Sequence, residues 1–242
     1  MRIAVVQFRS ATGYIALNVA GHYNMSRIAV EEGVELILFP ELSLTGYEPE
    51  QAESLATKPD DSRFIQLQQL ADEKALIIGA GIPLRTPGGI TISMMIFNPG
   101  SPVDLYSKQY LHQDELPYFV AGSDTSKVLQ SRKIGLAICY ELTVPDHALA
   151  AARAGSRLYI ASVAKTDVGM REAQIRLRKI AMEHRMPVMC ANCTGPCDGS
   201  IAAGRSAIWN QEGNLLGMMD DRSDGFLWYD TQSMEHKIIY IQ

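Results

Sequence analysis

The sequence is poor in cysteine, in long apolar runs and in blocks of like charge, and each shortage argues against a class of protein. Four cysteines occur in 242 residues, three of them between positions 190 and 197, which is not the pattern of a disulfide framework. The longest apolar run, residues 75–84, is much shorter than the ~20 residues that a membrane-spanning helix needs. With 22 Lys and Arg against 27 Asp and Glu, a surface suited to nucleic acid is not expected either.

Signals for export and for several common enzyme classes are also missing. The start, MRIAVVQFRS, has too short an apolar stretch for a signal peptide and no small-residue cleavage site, so we expect a cytoplasmic location. The sequence contains no G-x-S-x-G, no G-x-x-x-x-G-K-[ST] and no H-E-x-x-H motif. It shows no internal repeat or linker, and we expect residues 1–242 to form a single domain.

What the sequence has in quantity is short β-rich runs that alternate with helix-like segments. Five apolar runs have the length and composition of buried strands, at residues 2–8, 35–39, 75–82, 134–138 and 158–163. Runs at 90–97 and 103–107 flank an Asn-Pro-Gly turn and predict paired strands, and residues 170–184 predict an amphipathic helix. This mixture favours an α/β fold, a layered α-β-β-α sandwich of two mixed sheets covered by helices.

Three of the cysteines have a spacing that resembles a metal site. Cys190, Cys193 and Cys197 are separated by two and three residues, and thiolates at such a spacing can share one ion. A fourth ligand is missing, because the nearby His184 belongs to the apolar face of the predicted helix. Small buried residues with one thiol near a pocket explain the pattern better, so no metal and no cofactor are expected.

The remaining cysteine, Cys139, stands where a fold can present a nucleophile. It ends the apolar run IGLAI and precedes a helical segment, whose N-terminus would favour a thiolate. Glu41 and Lys108 also stand where strand-like runs end. Each charge alone is typical of a solvated loop, but together a carboxylate, an ammonium and a thiol supply a general base, an oxyanion stabiliser and a nucleophile. A site built from these three groups needs no histidine.

Three blocks around these residues resemble the nitrilase superfamily of carbon-nitrogen hydrolases. The blocks are ILFPELSLTGYEP at 37–49, LYSKQYLH at 105–112 and GLAICYELTVPD at 135–146. The resemblance covers essentially the whole chain. It implies Glu41 as the general base, Lys108 as the oxyanion-stabilising cation and Cys139 as the nucleophile of a thioester mechanism. It also implies that Tyr140 lends its backbone N–H to the oxyanion hole.

The same resemblance implies a second glutamate after the lysine. Glu115 fits that place because the F-x-x-G element at residues 119–122 follows it, and Asp114 is the alternative if the loop aligns one residue off. The sequence departs from the family pattern after the cysteine, where Thr143 replaces a common arginine and Asp146 a common glutamate. These departures leave the three reactive groups intact and the subfamily open.

The expected substrate is the amide of a small molecule, whose hydrolysis would release ammonia or an amine. Tyr140 favours an amide over a nitrile, because true nitrilases of the family commonly carry a tryptophan after the cysteine. Nitriles and N-carbamoyl amines stay open as substrates of the same fold. Two hypotheses for a different function also stay open. One is a Cys-His hydrolase that uses His147 or His112, and the other is a non-catalytic interaction module.

Three cations follow the strand-like run at 158–163. Any of Lys165, Arg171 and Arg176 could hold a substrate carboxylate, although exposed helix charges are the more common case. The relatives of the fold also imply a homodimer or a larger homo-oligomer as the working assembly.

Overall fold

The computed structural model describes residues 1–122, 128–129 and 132–241, and these hold fifteen strands and five α-helices. The strands are β1 (Arg2–Gln7), β2 (Val34–Leu38), β3 (Ile77–Thr86), β4 (Gly89–Phe97), β5 (Asp104–Ser107), β6 (Val128–Leu129), β7 (Ile134–Ile138), β8 (Leu158–Val163), β9 (Val188–Asn192), β10 (Thr194–Cys197), β11 (Ser200–Ala203), β12 (Ala207–Trp209), β13 (Leu215–Met218), β14 (Gly225–Asp230) and β15 (His236–Tyr240). The helices are α1 (Ile15–Glu31), α2 (Ala52–Leu55), α3 (Ile65–Lys74), α4 (Pro145–Arg153) and α5 (Asp167–His184). Short 3-10 helices span Pro49–Gln51, Ser62–Phe64 and Cys139–Thr143.

Two mixed sheets contain all of these strands except a separate hairpin of β10 and β11. The first sheet has the order β15-β14-β1-β2-β3-β4-β5, and β1, β2 and β3 run parallel to one another. The second has the order β13-β12-β9-β8-β7-β6, and β7, β8 and β9 run parallel. The remaining neighbours are antiparallel, so each sheet has a parallel centre and antiparallel edges.

The two sheets pack face to face and helices cover their outer faces. In β1, Ile3 and Val5 point into the core shared with the second sheet, whereas Ala4 and Val6 point into the core beneath α1 and α3. Both faces of the strand are therefore buried, which explains its continuous apolar run. Helix α4 packs against β7 and α5 against β9, so the two helices cover the second sheet. The predicted α-β-β-α sandwich of two mixed sheets is confirmed.

This topology brings several strand ends to one edge of the sandwich. Because β4 is antiparallel to both β3 and β5, β5 runs in the same direction as β2. Glu41 follows the end of β2, Lys108 the end of β5 and Cys139 the end of β7. A hydrogen bond from Ser162 Oγ in β8 to the Phe39 carbonyl (2.9 Å) joins the two sheets beside Glu41. Among the described residues, no helix combines the length and the apolar character that crossing a membrane requires.

Candidate active site

A buried cluster of three charged side chains lies at this edge. Lys108 Nζ donates hydrogen bonds to Glu41 Oε1 (2.7 Å) and to Glu115 Oε1 (2.6 Å). All three side chains are at most 1% exposed. Glu115 also accepts hydrogen bonds from the Tyr47 hydroxyl (2.7 Å) and from the His112 backbone N–H (2.8 Å). The glutamate that contacts Lys108, in the place that the resemblance implies for a second glutamate, is Glu115.

Asp114, the alternative for that place, forms no ion pair with Lys108 in the described part of the chain. Its side chain is half exposed and pairs with His112 Nδ1. An exposed pair of this kind is screened by solvent and adds little stability. The structure therefore brings Glu115, and not Asp114, to Lys108.

A tight turn after β2 carries Glu41 into the cluster. The turn lies against β3, where Phe39 N–H donates to the Gly79 carbonyl (2.8 Å) and Leu44 N–H to the Gly81 carbonyl (2.9 Å). A Cβ atom at Gly81 would lie 2.3 Å from the Leu42 backbone nitrogen, closer than side-chain carbons approach other atoms. Any larger residue at position 81 would clash with this turn, so the observed position of Glu41 requires a glycine there.

The loop after β5 packs in a similar way around Lys108. The Lys108 N–H donates to the Ile92 carbonyl (2.8 Å), and its carbonyl accepts from the Gly122 N–H (2.8 Å). A Cβ atom at Gly122 would lie 2.6 Å from the Ser107 carbonyl oxygen. The glycine of the F-x-x-G element thus lets this loop close over the end of the strand that carries the lysine.

Cys139 occupies a strained turn between β7 and the 3-10 helix Cys139–Thr143. Its φ of 43° lies in the left-handed region, which side chains other than glycine seldom adopt. Such strain persists where the surroundings hold it, and it is common at functional sites. The side chain is 8% exposed and opens into a cavity.

Glu141, to which the sequence analysis assigned no role, holds this turn. Its carboxylate accepts hydrogen bonds from the Ile138 N–H (2.7 Å) and the Gln109 N–H (2.7 Å). One of these residues precedes Cys139 and the other follows Lys108. A third bond comes from the Tyr106 hydroxyl (2.6 Å), and burial raises the pKa of Glu141 to about 7 despite these donors. Glu141 therefore ties the two reactive segments to each other.

The histidines of the Cys-His alternative are engaged elsewhere. His147 is buried, with Nε2 bonded to the Tyr106 hydroxyl (2.8 Å) and Nδ1 to the Tyr159 hydroxyl (2.9 Å). Burial lowers the pKa of His147 to about 4, so the ring is neutral near pH 7. His112 borders the cavity, but it is half exposed and paired with Asp114.

A cavity of about 300 Å³ opens beside the thiol. Its wall includes Tyr47, Glu115, Cys139, Tyr140, Lys165 and Cys197. Of the three cations considered for a substrate carboxylate, Lys165 lines this cavity, whereas Arg171 and Arg176 are exposed on α5. The cavity is large enough for a small molecule, and its wall offers both charged and apolar side chains for contact with a ligand.

The electrostatics of the cluster keep the thiol protonated at rest. Burial, and then the Glu41 carboxylate, raise the pKa of Cys139 to about 11, although Lys165 and Lys108 oppose this. The expectation that a helix N-terminus favours the thiolate is therefore wrong, because burial and a neighbouring carboxylate outweigh the short 3-10 turn. Burial also raises the pKa of Glu41, against the pull of Lys108.

One oxygen of Glu41 is available as a base. Glu41 Oε2 is buried without a hydrogen-bond partner, while the Glu41 carboxyl lies next to the Cys139 thiol. Burial acting alone would lower the pKa of Lys108, but Glu41 leads the negative groups that raise it above the ordinary value. Lys108 therefore stays protonated, which leaves the Glu41 carboxylate as the group beside the thiol that can accept a proton.

The three clustered cysteines do not converge on one point. Cys193 and Cys197 share a hydrogen bond and a small apolar cluster with Ala202, whereas Cys190 belongs to the main core. Within the ranges that the structure describes, no three His, Cys, Asp or Glu side chains are arranged to hold a metal ion.

Known proteins match this chain over most of its length. The model of the carbon-nitrogen hydrolase family matches residues 2–236. A solved structure of a variant of the amidase from Nesterenkonia sp. AN1, with acrylamide added to the active-site cysteine, superposes with a TM-score of 0.83. It is 26% identical, and the match covers 96% of this chain and 94% of that chain.

Curated proteins give a similar result. The "Hydrolase in pqqF 5'region" of Pseudomonas protegens is 27% identical over 211 residues, which cover 84% of this chain and 74% of that protein. The "(R)-stereoselective amidase" of Pseudomonas sp is 24% identical over 219 residues, which cover 89% of this chain and 80% of that protein.

Proposed function

The chain belongs to the carbon-nitrogen hydrolase family, and we propose that it hydrolyses the amide bond of a small molecule through a thioester on Cys139. Family membership and amidase neighbours make it an enzyme of the amidase and nitrilase type, which argues against a non-catalytic interaction module. The observation that carries the proposal is the Lys108 ammonium, held between Glu41 and Glu115 beside a cavity-lining thiol.

Acylation begins with Glu41 as the general base. As the Cys139 sulfur attacks the amide carbon, the S–H proton passes to Glu41 Oε2 and the carbonyl π electrons move to the oxygen. The Lys108 ammonium and the Tyr140 backbone N–H stabilise this oxyanion. Glu41 then gives the proton to the nitrogen, the C–N bond breaks, and ammonia or an amine leaves a thioester behind.

Deacylation uses the same groups. Glu41 takes a proton from water, the hydroxyl adds to the thioester carbon, and the second oxyanion forms in the same place. The C–S bond then breaks and the sulfur regains a proton from Glu41, which releases the carboxylic acid. Neither acylation nor deacylation needs a cofactor in this mechanism.

Glu115 is a positioning residue in this scheme. A buried ammonium with one carboxylate partner would be held less firmly and would have a lower pKa. With Glu115 on the opposite side, and Tyr47 donating to that same carboxylate, Lys108 keeps both its charge and its place.

A small aliphatic amide is the substrate that the cavity supports best. The cavity volume of about 300 Å³ is at the lower end of the range for ligand-binding sites. The amidase of Nesterenkonia sp. AN1 has been solved with butyramide and with the acetamide moiety of fluoroacetamide. Both ligands are of the size that this cavity admits.

A substrate panel tests the proposal. Acetamide, propionamide, butyramide, the matching nitriles and an N-carbamoyl amine are each incubated with the enzyme and with the Cys139→Ala variant, and released ammonia is measured. Turnover of amides by the wild type alone supports the proposal. Faster turnover of nitriles or carbamoyl amines moves the activity to those alternatives, and turnover by Cys139→Ala refutes the thioester mechanism.

Both sheets contribute to the site, and we therefore propose residues 1–242 as one catalytic domain. Glu41 and Lys108 follow strands of the first sheet and Cys139 follows a strand of the second. We further propose a cytoplasmic location and a homodimer or larger homo-oligomer as the working assembly.

A further inference from the structure

The cluster described so far has an unfavourable charge for making a thiolate. Glu41 and Glu115 carry two negative charges and Lys108 one positive charge, which leaves a net charge of −1 in a buried site. When the S–H proton passes to Glu41, the net charge stays at −1, but one negative charge moves from the carboxylate that Lys108 contacts to the Cys139 sulfur. Because charges interact strongly where water is excluded, the attack needs a further cation near the sulfur.

Lys165 supplies a cation at this point. Its side chain lines the cavity with Cys139 and interacts electrostatically with the thiol. The Cys139 sulfur raises the pKa of Lys165 more than burial lowers it, and Lys165 lowers the pKa of Cys139 more than Lys108 does. Within the described ranges, no carboxylate forms a salt bridge with Lys165. Unlike Lys108, this ammonium is not already shared between two carboxylates.

The backbone of Lys165 is held rigidly, so its side chain starts from a fixed point. Lys165 N–H donates to Asn192 Oδ1 (2.9 Å), and its carbonyl accepts from Asn192 Nδ2 (3.1 Å) and from the Ala203 N–H (2.9 Å). Asn192 is fully buried at the end of β9, and Ala203 belongs to the β10–β11 hairpin. Two neighbouring elements therefore fix the residue that follows β8.

We propose that Lys165 is a second catalytic cation, which contacts the Cys139 sulfur and stabilises the negative charge that develops there during attack and thioester breakdown. The inference rests on the proposed function. Lys165 keeps all its protons throughout: the S–H proton goes to Glu41, and the Lys165 N–H group only donates a hydrogen bond to the sulfur. With Lys165 included, the four charged groups sum to zero before the reaction.

A substrate carboxylate is the other partner that Lys165 could have. The cavity argues against it, because Asp114 and Asp198 line the same space and would repel an anion. These two carboxylates also repel each other, and after burial this repulsion contributes to raising the pKa of Asp198. The titratable and charged groups around the thiol and Lys165 are Glu41, Tyr47, Lys108, His112, Asp114, Glu115, Tyr140, Cys190, Cys197 and Asp198.

Alkylation of Cys139 by two reagents of different charge tests the inference. Iodoacetamide is neutral and iodoacetate is anionic, and both react with the thiolate. Rates are measured by intact-mass spectrometry and peptide mapping from about pH 6 to pH 10. The proteins are the wild type, Lys165→Met, the charge-conserving Lys165→Arg and, as a matched control, Arg176→Met on the exposed face of α5.

We expect Lys165→Met to slow alkylation of Cys139 by both reagents about tenfold or more near pH 8, since one unit of thiol pKa is a tenfold change in thiolate. The pH midpoint should rise, Lys165→Arg should restore most of the rate, and Arg176→Met should match the wild type. Thermal melts check that each variant is folded, and rescue by arginine separates a charge effect from a packing effect.

Two results would overturn the inference. Unchanged iodoacetamide rates in folded Lys165→Met would show that the ammonium does not act on the sulfur. Loss of iodoacetate reactivity alone would assign Lys165 to an anionic ligand. Amide turnover measured in parallel keeps the two proposals apart, because turnover retained in Cys139→Ala refutes the proposed function, whereas the alkylation rates still decide whether Lys165 acts on the thiol.

Discussion

At the residue scale, the charge that each group carries before the reaction decides what it can do. Lys108 is fully buried and lies at hydrogen-bond distance from two carboxylates, so it stays protonated. Its positive charge can stabilise a nearby negative charge without any transfer of a proton. Glu41 has an unpartnered buried oxygen and a raised pKa, which suits a group that must gain and lose a proton. In the proposed mechanism the two residues have different roles, proton transfer and charge stabilisation, so their variants should fail differently.

Glu41→Gln should acylate with an activated ester and then stall. The Glu41 carboxylate is one of the groups that raise the pKa of Cys139, so its loss lets some thiolate form without a base, and a p-nitrophenyl ester needs no proton for its leaving group. Water, in contrast, cannot be activated by the carboxamide. Intact-mass spectrometry should show an adduct on Cys139 that persists far longer than in the wild type.

Lys108→Ala should give little adduct with the same ester. Loss of the oxyanion-stabilising charge slows both formation and breakdown of the thioester, by roughly 10²–10³. An equal burst in both variants, or rapid turnover of the adduct in Glu41→Gln, would mean that the two roles are assigned wrongly.

Glu141→Gln should misplace the two reactive segments without unfolding the protein. The carboxylate accepts backbone N–H groups on both of its oxygens, and a carboxamide would turn an NH₂ group towards one of those donors. An unsatisfied buried group costs about 1–3 kcal/mol, so the free energy of unfolding should fall by that amount. We expect kcat to fall at least tenfold with a small change in KM, as measured by ammonia release.

Glu172→Gln is the control for this change, because Glu172 is exposed on α5. It should leave both the stability and kcat as in the wild type. Wild-type kcat in Glu141→Gln would show that the bonds between Glu141, Ile138 and Gln109 do not position the site.

Sequence reasoning proposed candidate reactive residues more readily than the residues that hold them in place. Glu41, Lys108 and Cys139 stand at strand ends, and that position can be read from the apolar runs before them. Glu141 gave no such signal, since its role depends on the backbone of residue 109, which lies far away in sequence. Tyr47 lies within the GYEP block and was available from the resemblance, but its bond to Glu115 follows only from the fold.

At the scale of elements, prediction succeeded where burial gives a regular pattern. The predicted strands at 134–138 and 158–163 match β7 and β8. The helix predicted for 170–184 begins earlier, at Asp167, because exposed residues at its first turn break the apolar pattern. The β10–β11 hairpin was missed because its sequence, with Gly, Pro and Asp, has low strand propensity. Backbone bonds from Asp198 to Tyr47 and from Ala203 to Lys165 hold it in place.

Gly81→Ala should disrupt the turn that carries Glu41. The added Cβ would lie 2.3 Å from the Leu42 nitrogen and 2.7 Å from the Pro40 oxygen, and backbone atoms cannot move aside cheaply. We expect overpacking to lower the free energy of unfolding by about 1–3 kcal/mol and to reduce kcat strongly. Chemical denaturation and ammonia release measure the two effects.

Gly88→Ala is the matched control on the turn between β3 and β4. Its Cβ would meet no atom closer than 3.8 Å, so both stability and activity should stay near wild type. If Gly81→Ala behaved like Gly88→Ala, the close approach of β3 to the turn would not be what places Glu41.

At the scale of the whole molecule, one surface of the sandwich is unusually apolar. Val168, Ile175 and Met182 are 69%, 72% and 49% exposed, and their seven-residue spacing puts them on one face of α5. Leu215 and Met218 of the neighbouring β13 are also exposed, and Gln174 of α5 contacts Met218. Exposed apolar side chains grouped in this way, with charged residues of α5 between them, suit a protein interface with mixed polarity. We therefore propose a second copy of the chain as its partner.

Ile175→Lys should convert the proposed homo-oligomer to monomers. A two-fold interface places the same helix of both copies together, so one substitution introduces two like charges into the contact. Ile65→Lys, on α3 and 54% exposed, is the control and should leave the assembly intact. Size-exclusion chromatography with light scattering gives the mass of each protein. A monomeric wild type would refute the oligomer, whereas an Ile175→Lys variant that keeps the wild-type mass would show that the copies meet through another face.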